Sequence, residues 1–230
     1  MSSEDWYRKR NYLHFDRPIS EKSAEKIVTN PKAVSVHSFY PLISYSISVT
    51  KIYKDESDRI GKKVKDRPIS YAAHIDSHIY SFYCHLLTPL YEDLLHKYGL
   101  EDNILAFRKL GKNNIDFAFD AFKEIKSLGE KYSGCTAIGL DITGFFDNLD
   151  HELLKHSWQQ LINKNVLPDD HFAVFRSLTK FSKVDRSSLY KLLDISEHNP
   201  KNDRFRVCSP AEFRNLVRAN KLIVLFCTQN

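Results

Sequence analysis

Leu140-Asp141-Ile142-Thr143-Gly144-Phe145-Phe146-Asp147-Asn148-Leu149-Asp150-His151 is the stretch on which the reading of this chain turns. The apolar run before it, Cys135 to Leu140, is bounded by turn residues and predicts a short buried strand. Asp141 then stands at the end of that strand. A carboxylate in such a place is costly unless something compensates its charge. A magnesium ion would do so, since it prefers oxygen ligands and takes one or two carboxylates together with substrate phosphates. The backbone carbonyl of Ile142 is the neighbouring candidate ligand. Two such ions can clamp the attacking and leaving oxygens of an in-line phosphoryl transfer. The plainer alternative is that Asp141 only caps the turn that follows it.

Working outward, Asp150 predicts the cap of a helix with Leu153, Leu154, Trp158 and Leu161 on one side. Upstream, Tyr45, Ile47 and Val49 alternate with Ser46, Ser48 and Thr50, the period of a half-buried strand. Lys63 to Ala73 predicts its return, with a charged turn from Lys54 to Lys62, so that residues 45–73 form a β-hairpin. Asp76 predicts the cap of a long helix that Pro89 kinks and Gly99 ends. A second helix is expected from Asn114 to Leu128, with an apolar stripe of Ile115, Ala118, Phe119, Phe122 and Ile125 and a stop at Gly129.

Beyond Pro168 the pattern predicts short helices to about Leu193, with Asp169 as a cap, and then a polar loop from Ser196 to Arg204. Ser209-Pro210-Ala211-Glu212 is a capping box with proline at the first helical position, and Leu222 to Cys227 predicts a closing strand. In the first 44 residues, Ser20 predicts a cap for a short helix ending before Pro31. The cluster Trp6, Tyr7, Tyr12 and Phe15 among Arg8, Lys9 and Arg10 either stacks on RNA or docks the segment on the body.

Composition narrows the class. Hydrophobic residues make up 42% of the 230, enough for a real core and against wholesale disorder. The net charge of +5 is compatible with nucleic acid without requiring it. The cysteines, Cys84, Cys135, Cys208 and Cys227, form no close pair and read as reduced thiols. Met1 to Arg10 contains no apolar leader, and Leu222 to Cys227, the longest apolar run, is far too short to span a bilayer. A cytoplasmic protein with no membrane association is expected.

The run Asp141, Gly144, Phe145, Phe146, Asp147, Asp150 and His151 resembles the first palm motif of reverse transcriptases, above all the bacterial group II intron-like branch. The resemblance implies that Asp141 is catalytic and binds Mg²⁺ with the Ile142 carbonyl. It also implies that Phe146 lies under the incoming sugar, where its ring would clash with a 2′-hydroxyl. Upstream, Arg67-Pro68-Ile69 followed by Asp76-Ser77-His78-Ile79 resembles the fingers motif of the same enzymes. That match implies a role for Arg67 on the nucleotide triphosphate, helped by one of Lys62, Lys63 and Lys65; the alternative is a solvated basic loop interleaved with Asp55, Glu56, Asp58 and Asp66. A third match, Ala106-Phe107-Arg108 then Lys112-Asn113-Asn114, lacks the family's commoner glycine and proline; it implies template contacts for Arg108 and Lys112, or else a surface arginine before a turn. Tyr12-Leu13-His14-Phe15-Asp16 and His37-Ser38-Phe39 look like the reverse transcriptases of anti-phage defence systems.

The resemblance implies an α+β right-hand polymerase: an N-terminal extension over residues 1–44, fingers over 45–134 and the first part of a palm over 135–230. Its expected partners are an RNA template, an associated noncoding RNA, deoxynucleotides and the DNA product. The alternative is a reverse transcriptase-like protein that binds RNA without catalysis. The family's Pro-Gln-Gly segment and its aromatic-x-Asp-Asp hairpin do not occur between Asp141 and Asn230. The 230 residues are therefore expected to be a fragment or to be completed by a partner, and not to polymerise alone.

Overall fold

The computed structural model describes residues 6–55 and 59–227, the side chains of Phe146, Asp147 and Cys227 excepted. The fold is α+β, with a mixed four-stranded open sheet in the order β2-β1-β3-β4. β1 (Leu42–Lys54) and β2 (Ile60–Tyr71) form the antiparallel hairpin that the alternating pattern predicts, with Tyr45 opposite Ile69 and Ile47 opposite Arg67. β3 (Lys180–Asp185) joins β1 in parallel, Ile43 facing Val184, and β4 (Val224–Cys227) closes antiparallel on β3. β3 corrects the expectation of helices throughout that stretch: Phe181 and Val184 serve a sheet whose partner strand is far away in sequence.

The helices are α1 (Glu21–Val28), α2 (Pro31–Ser35), α3 (His74–Tyr98), α4 (Asn114–Tyr132), α5 (His151–Leu161), α6 (Asp169–Thr179), α7 (Arg186–Leu192) and α8 (Pro210–Glu212), which runs into a π-helical stretch, Phe213–Arg218. Local signals place several of these ends. Ser20 caps α1, Asn30 caps α2 and Asp150 caps α5, each accepting a backbone N–H with its side chain. Ser209 and Glu212 make the expected capping box. Gly99 ends α3 with φ +61°, and Leu100 N–H donates to Leu95 O at 2.9 Å. Asp169 does not cap α6: Pro168 holds the cap position with no side-chain bond, and Asp170 instead accepts from the Tyr83 hydroxyl at 2.5 Å.

The chain divides into two compact units, Met1–Pro89 with Asp150–Asn230, and Leu90–Leu149. The first holds the buried core. One cluster packs Trp6, Ala24, Val28, Val34, Ile79 and Tyr83 against Trp158, Val174 and Phe175. Another packs Leu13, Phe15, Ile43, Val184, Leu189, Val207 and Val217 around the base of the sheet. Trp6 and Phe15 are thus core residues, and Tyr7 stacks on buried His78 with ring centres 4.7 Å apart. The N-terminal aromatic cluster docks its segment on the body.

The start of α3 differs from expectation. Asp76 lies inside its first turn, where it accepts from His37 Nε2 at 2.6 Å and Tyr40 N–H at 2.8 Å. Asp16 does the capping instead, accepting the N–H of His74 at 3.0 Å and of Ile75 at 2.9 Å. The His74 ring adds Nδ1 to Asp16 at 2.7 Å and Nε2 to Tyr12 O at 3.1 Å.

In the second unit, α4 runs on through Gly129 to Tyr132 and ends at Ser133, which takes φ +57° before Gly134. Interior glycine costs only about 1 kcal/mol against alanine, too little to stop a helix by itself. The stripe of Ile115, Phe119 and Phe122 has helical spacing but is exposed. Cys135 to Leu140 is not a buried strand: it has no regular structure, with Ile138 80% and Leu140 92% exposed. A strand needs a neighbour for its N–H and C=O groups, and the described residues offer this segment none. Among the described residues no helix is long and apolar enough to cross a membrane.

Candidate metal and nucleotide site

Asp141 and Ile142 lie together in open, irregular backbone, both exposed. The chain then turns through Gly144 at φ +63°, the left-handed conformation that glycine tolerates. A Cβ there would also meet Asn148 Nδ2 at 2.9 Å. Asn148 holds the turn by donating from its backbone and its side chain to Gly144 O, at 3.1 and 2.9 Å. The backbone of Phe146 lies in the short 3-10 helix Phe145–Asn148; its side chain is outside the described residues, as is that of Asp147. Among the described residues, the Asp141 carboxylate and the adjoining Ile142 carbonyl are hard oxygen donors of the kind magnesium prefers. They supply part of a coordination shell. Among the described residues no three His, Cys, Asp or Glu side chains are grouped to hold a metal.

The hairpin of the first unit sorts its charges by face. Directly paired residues of an antiparallel ladder share a face, and neighbours along a strand alternate. Arg67, Lys65 and Lys63 therefore lie on one face, opposite Ile47, Val49 and Lys51. Asp66 and Lys62 lie on the other, where the Asp66 carboxylate accepts from the Ser48 hydroxyl. The acid interleaved in the sequence is thus separated from the basic row in space. Lys63, Lys65 and Arg67 are all exposed, leaving their heads accessible to an anion.

Arg108 is placed differently. Its side chain is 6% exposed, and all three nitrogens are engaged within its own unit. Nε and Nη2 fork onto the Glu92 carboxylate, Nη2 at 2.7 Å, while Nη1 donates to the carbonyls of Glu101 and Ile104. This is a clamp on the turn after α3. Lys112 makes an exposed pair with Asp120 at 2.8 Å, just before the capping box of Asn113 and Asp116.

The structure brings together Asp141 with Ile142 in one unit, and Lys63, Lys65 and Arg67 in the other. Reading motifs alone missed the basic contribution of Lys51, which the alternation already places beside Lys63. No protein-family model matches the chain, and no curated protein is significantly similar to it.

Proposed function

We propose that this chain carries the fingers and the first part of the palm of an RNA-directed DNA polymerase. The observation that carries the reading is the run Asp141 to His151, a metal-type carboxylate followed by glycine, two aromatics and further acids in the order of the first palm motif. The reaction is attack of a primer 3′-hydroxyl on the α-phosphate of a deoxynucleotide, with pyrophosphate leaving. Asp141 and the Ile142 carbonyl hold Mg²⁺, which when bound neutralises charge on the transferring phosphoryl group. Arg67, Lys65 and Lys63 bind the triphosphate from one face of the hairpin, and the Phe146 ring excludes a 2′-hydroxyl. The template is RNA, with an associated noncoding RNA as a further partner, and the role is anti-phage defence in the cytoplasm.

A second reading, RNA binding without catalysis, needs only the exposed basic face of the hairpin. One experiment separates the two: Mg²⁺-dependent deoxynucleotide incorporation on a primed homopolymer RNA, by protein purified with its native partners. Asp141→Asn keeps the shape and removes the charge. Abolished synthesis with unchanged circular dichroism is expected; substantial synthesis by the variant overturns the assignment, and none by the wild type favours the second reading.

A further inference from the structure

Tyr45, Ile69 and Tyr71 lie on the same face of the hairpin as Arg67, Lys65 and Lys63, nearer its base. There they line an open cleft of about 350 Å³ within the first unit. Its remaining walls include Tyr12 from the N-terminal segment, Arg186 and Tyr190 from α7, and Lys201 from the loop after it. No aspartate or glutamate is among the residues that line it. Two cations and several rings facing one open cleft whose lining holds no acid suit a ligand that is both aromatic and anionic.

The rings are held in place. Tyr12 donates its hydroxyl to Ala72 O at 2.8 Å and meets Tyr71 edge-on at 4.9 Å between ring centres. Tyr45 meets Tyr71 at 6.1 Å, and the Arg186 guanidinium stacks over Tyr45 at 4.0 Å from the ring centre. Burial pushes the phenols of Tyr12, Tyr71 and Tyr190 up, so they stay neutral donors. At the rim Lys201 Nζ reaches Asn11 Oδ1 at 2.6 Å.

We propose that this cleft binds a nucleotide, its base against the tyrosine rings and its phosphate on Arg186 and Lys201. The volume sits at the lower end of the roughly 300–1,000 Å³ of small-ligand sites, room for one nucleotide and not for a duplex. Aromatic faces beside cations are the recurrent means of holding unpaired bases without sequence preference. The ligand is one nucleotide unit, carried by a single-stranded RNA or free, and the two sources share this chemistry.

The test needs neither metal nor catalysis, so its outcome is independent of the polymerase reading. The full chain, in EDTA, is titrated into a fluorescein-labelled single-stranded RNA of about ten nucleotides and followed by anisotropy. The same mixture is photocrosslinked and its peptides are mapped. The variants are Tyr45→Leu and the double variant Arg186→Gln with Lys201→Gln, each checked for an unchanged melting temperature. At least tenfold weaker binding by each is expected, with crosslinks at Tyr45, Tyr71 or Tyr190. The double variant should also flatten the salt dependence by about 1.4 in log–log slope, the value for two phosphate contacts on a single strand. Competition by adenosine monophosphate, with protection of the same tyrosines, assigns the cleft to a free nucleotide; its absence assigns it to the strand. Wild-type affinity in both variants, or crosslinks confined to other surfaces, overturns the proposal.

Discussion

Asp16 caps α3 at His74 across 58 residues of sequence, and the same carboxylate holds the His74 ring at 2.7 Å. One side chain thereby satisfies two orphan helix donors and anchors the N-terminal segment to the body. Hydrogen bonds from the His74 ring and from the two backbone N–H groups outweigh burial and hold the Asp16 carboxyl below its ordinary value. Asp16→Ala should cost roughly 3 kcal/mol, between the loss of a cap and the breaking of a buried pair. Urea denaturation measures this, and a loss below about 0.5 kcal/mol, the range of inert surface changes, would remove Asp16 from that role.

Stability should fall on mild acidification. His14 and His78 are 0% and 1% exposed, each with Nδ1 unpartnered, and His14 Nε2 donates to Tyr71 O. Burial pushes both from 6.5 down to about 4. The unfolded chain takes protons there as pH drops below 6.5, while the folded chain does not until about 4. Stability is therefore lost across that window, by up to about 1.4 kcal/mol per pH unit for each histidine. Burial raises Asp76, which offsets part of the loss near the bottom of the window because the folded state binds that proton first. Melting temperature from pH 7 to 4 reads the effect, and His78→Phe should flatten the profile; a flat wild-type profile contradicts it.

Arg108 should matter to the fold of its unit before it matters to a template. Arg108→Ala leaves the Glu92 carboxylate and two carbonyls without their donor and should loosen the turn after α3. Lysine cannot restore a planar fork, so Arg108→Lys should rescue little. Faster amide exchange over residues 99–108 is the expected signature. Unchanged exchange with weakened RNA binding would return Arg108 to the template.

Arg67 and Phe146 carry separable parts of the proposed nucleotide site. Arg67→Ala should raise the deoxynucleotide KM more than Arg67→Lys does, with RNA affinity largely kept. Loss of RNA affinity with unchanged KM would instead assign Arg67 to the template. Phe146→Val should raise ribonucleotide use relative to deoxynucleotide use by about tenfold, equivalent to about 1.4 kcal/mol of discrimination. An unchanged ratio would make Phe146 a packing residue.

Much of the local structure is legible in the sequence. The hairpin follows from alternation at Tyr45, Ile47 and Val49, and helix starts follow from Ser20, Asp150 and Ser209 because a cap and its helix are neighbours in the chain. What escapes depends on distant partners. The Asp16 cap of α3 and the pairing of Ile43 with Val184 join residues that no local pattern connects. The apolar run at Cys135 to Leu140 has the composition of a strand but, among the described residues, no neighbour to pair with. The stripe on α4 shows which face is suited to burial and says nothing of what would bury it. At the candidate site, strand alternation alone suffices to separate Arg67 from Asp66, whereas the engagement of Arg108 by Glu92 requires the folded turn.

The parallel seam between β1 and β3 sets a timetable for synthesis. The Ser44 hydroxyl donates to Val184 O across 140 residues, and the base of β1, Leu42–Ser44, has no partner on that edge until the ribosome has made β3. At 5–20 residues per second that wait lasts roughly 7–30 s, far longer than the microseconds in which a hairpin closes. The β1–β2 ribbon can therefore form early and then stand with an open flank on the nascent chain. That flank is the place where a chaperone would act, and where slowed elongation between Tyr71 and Lys180 would prolong exposure to aggregation.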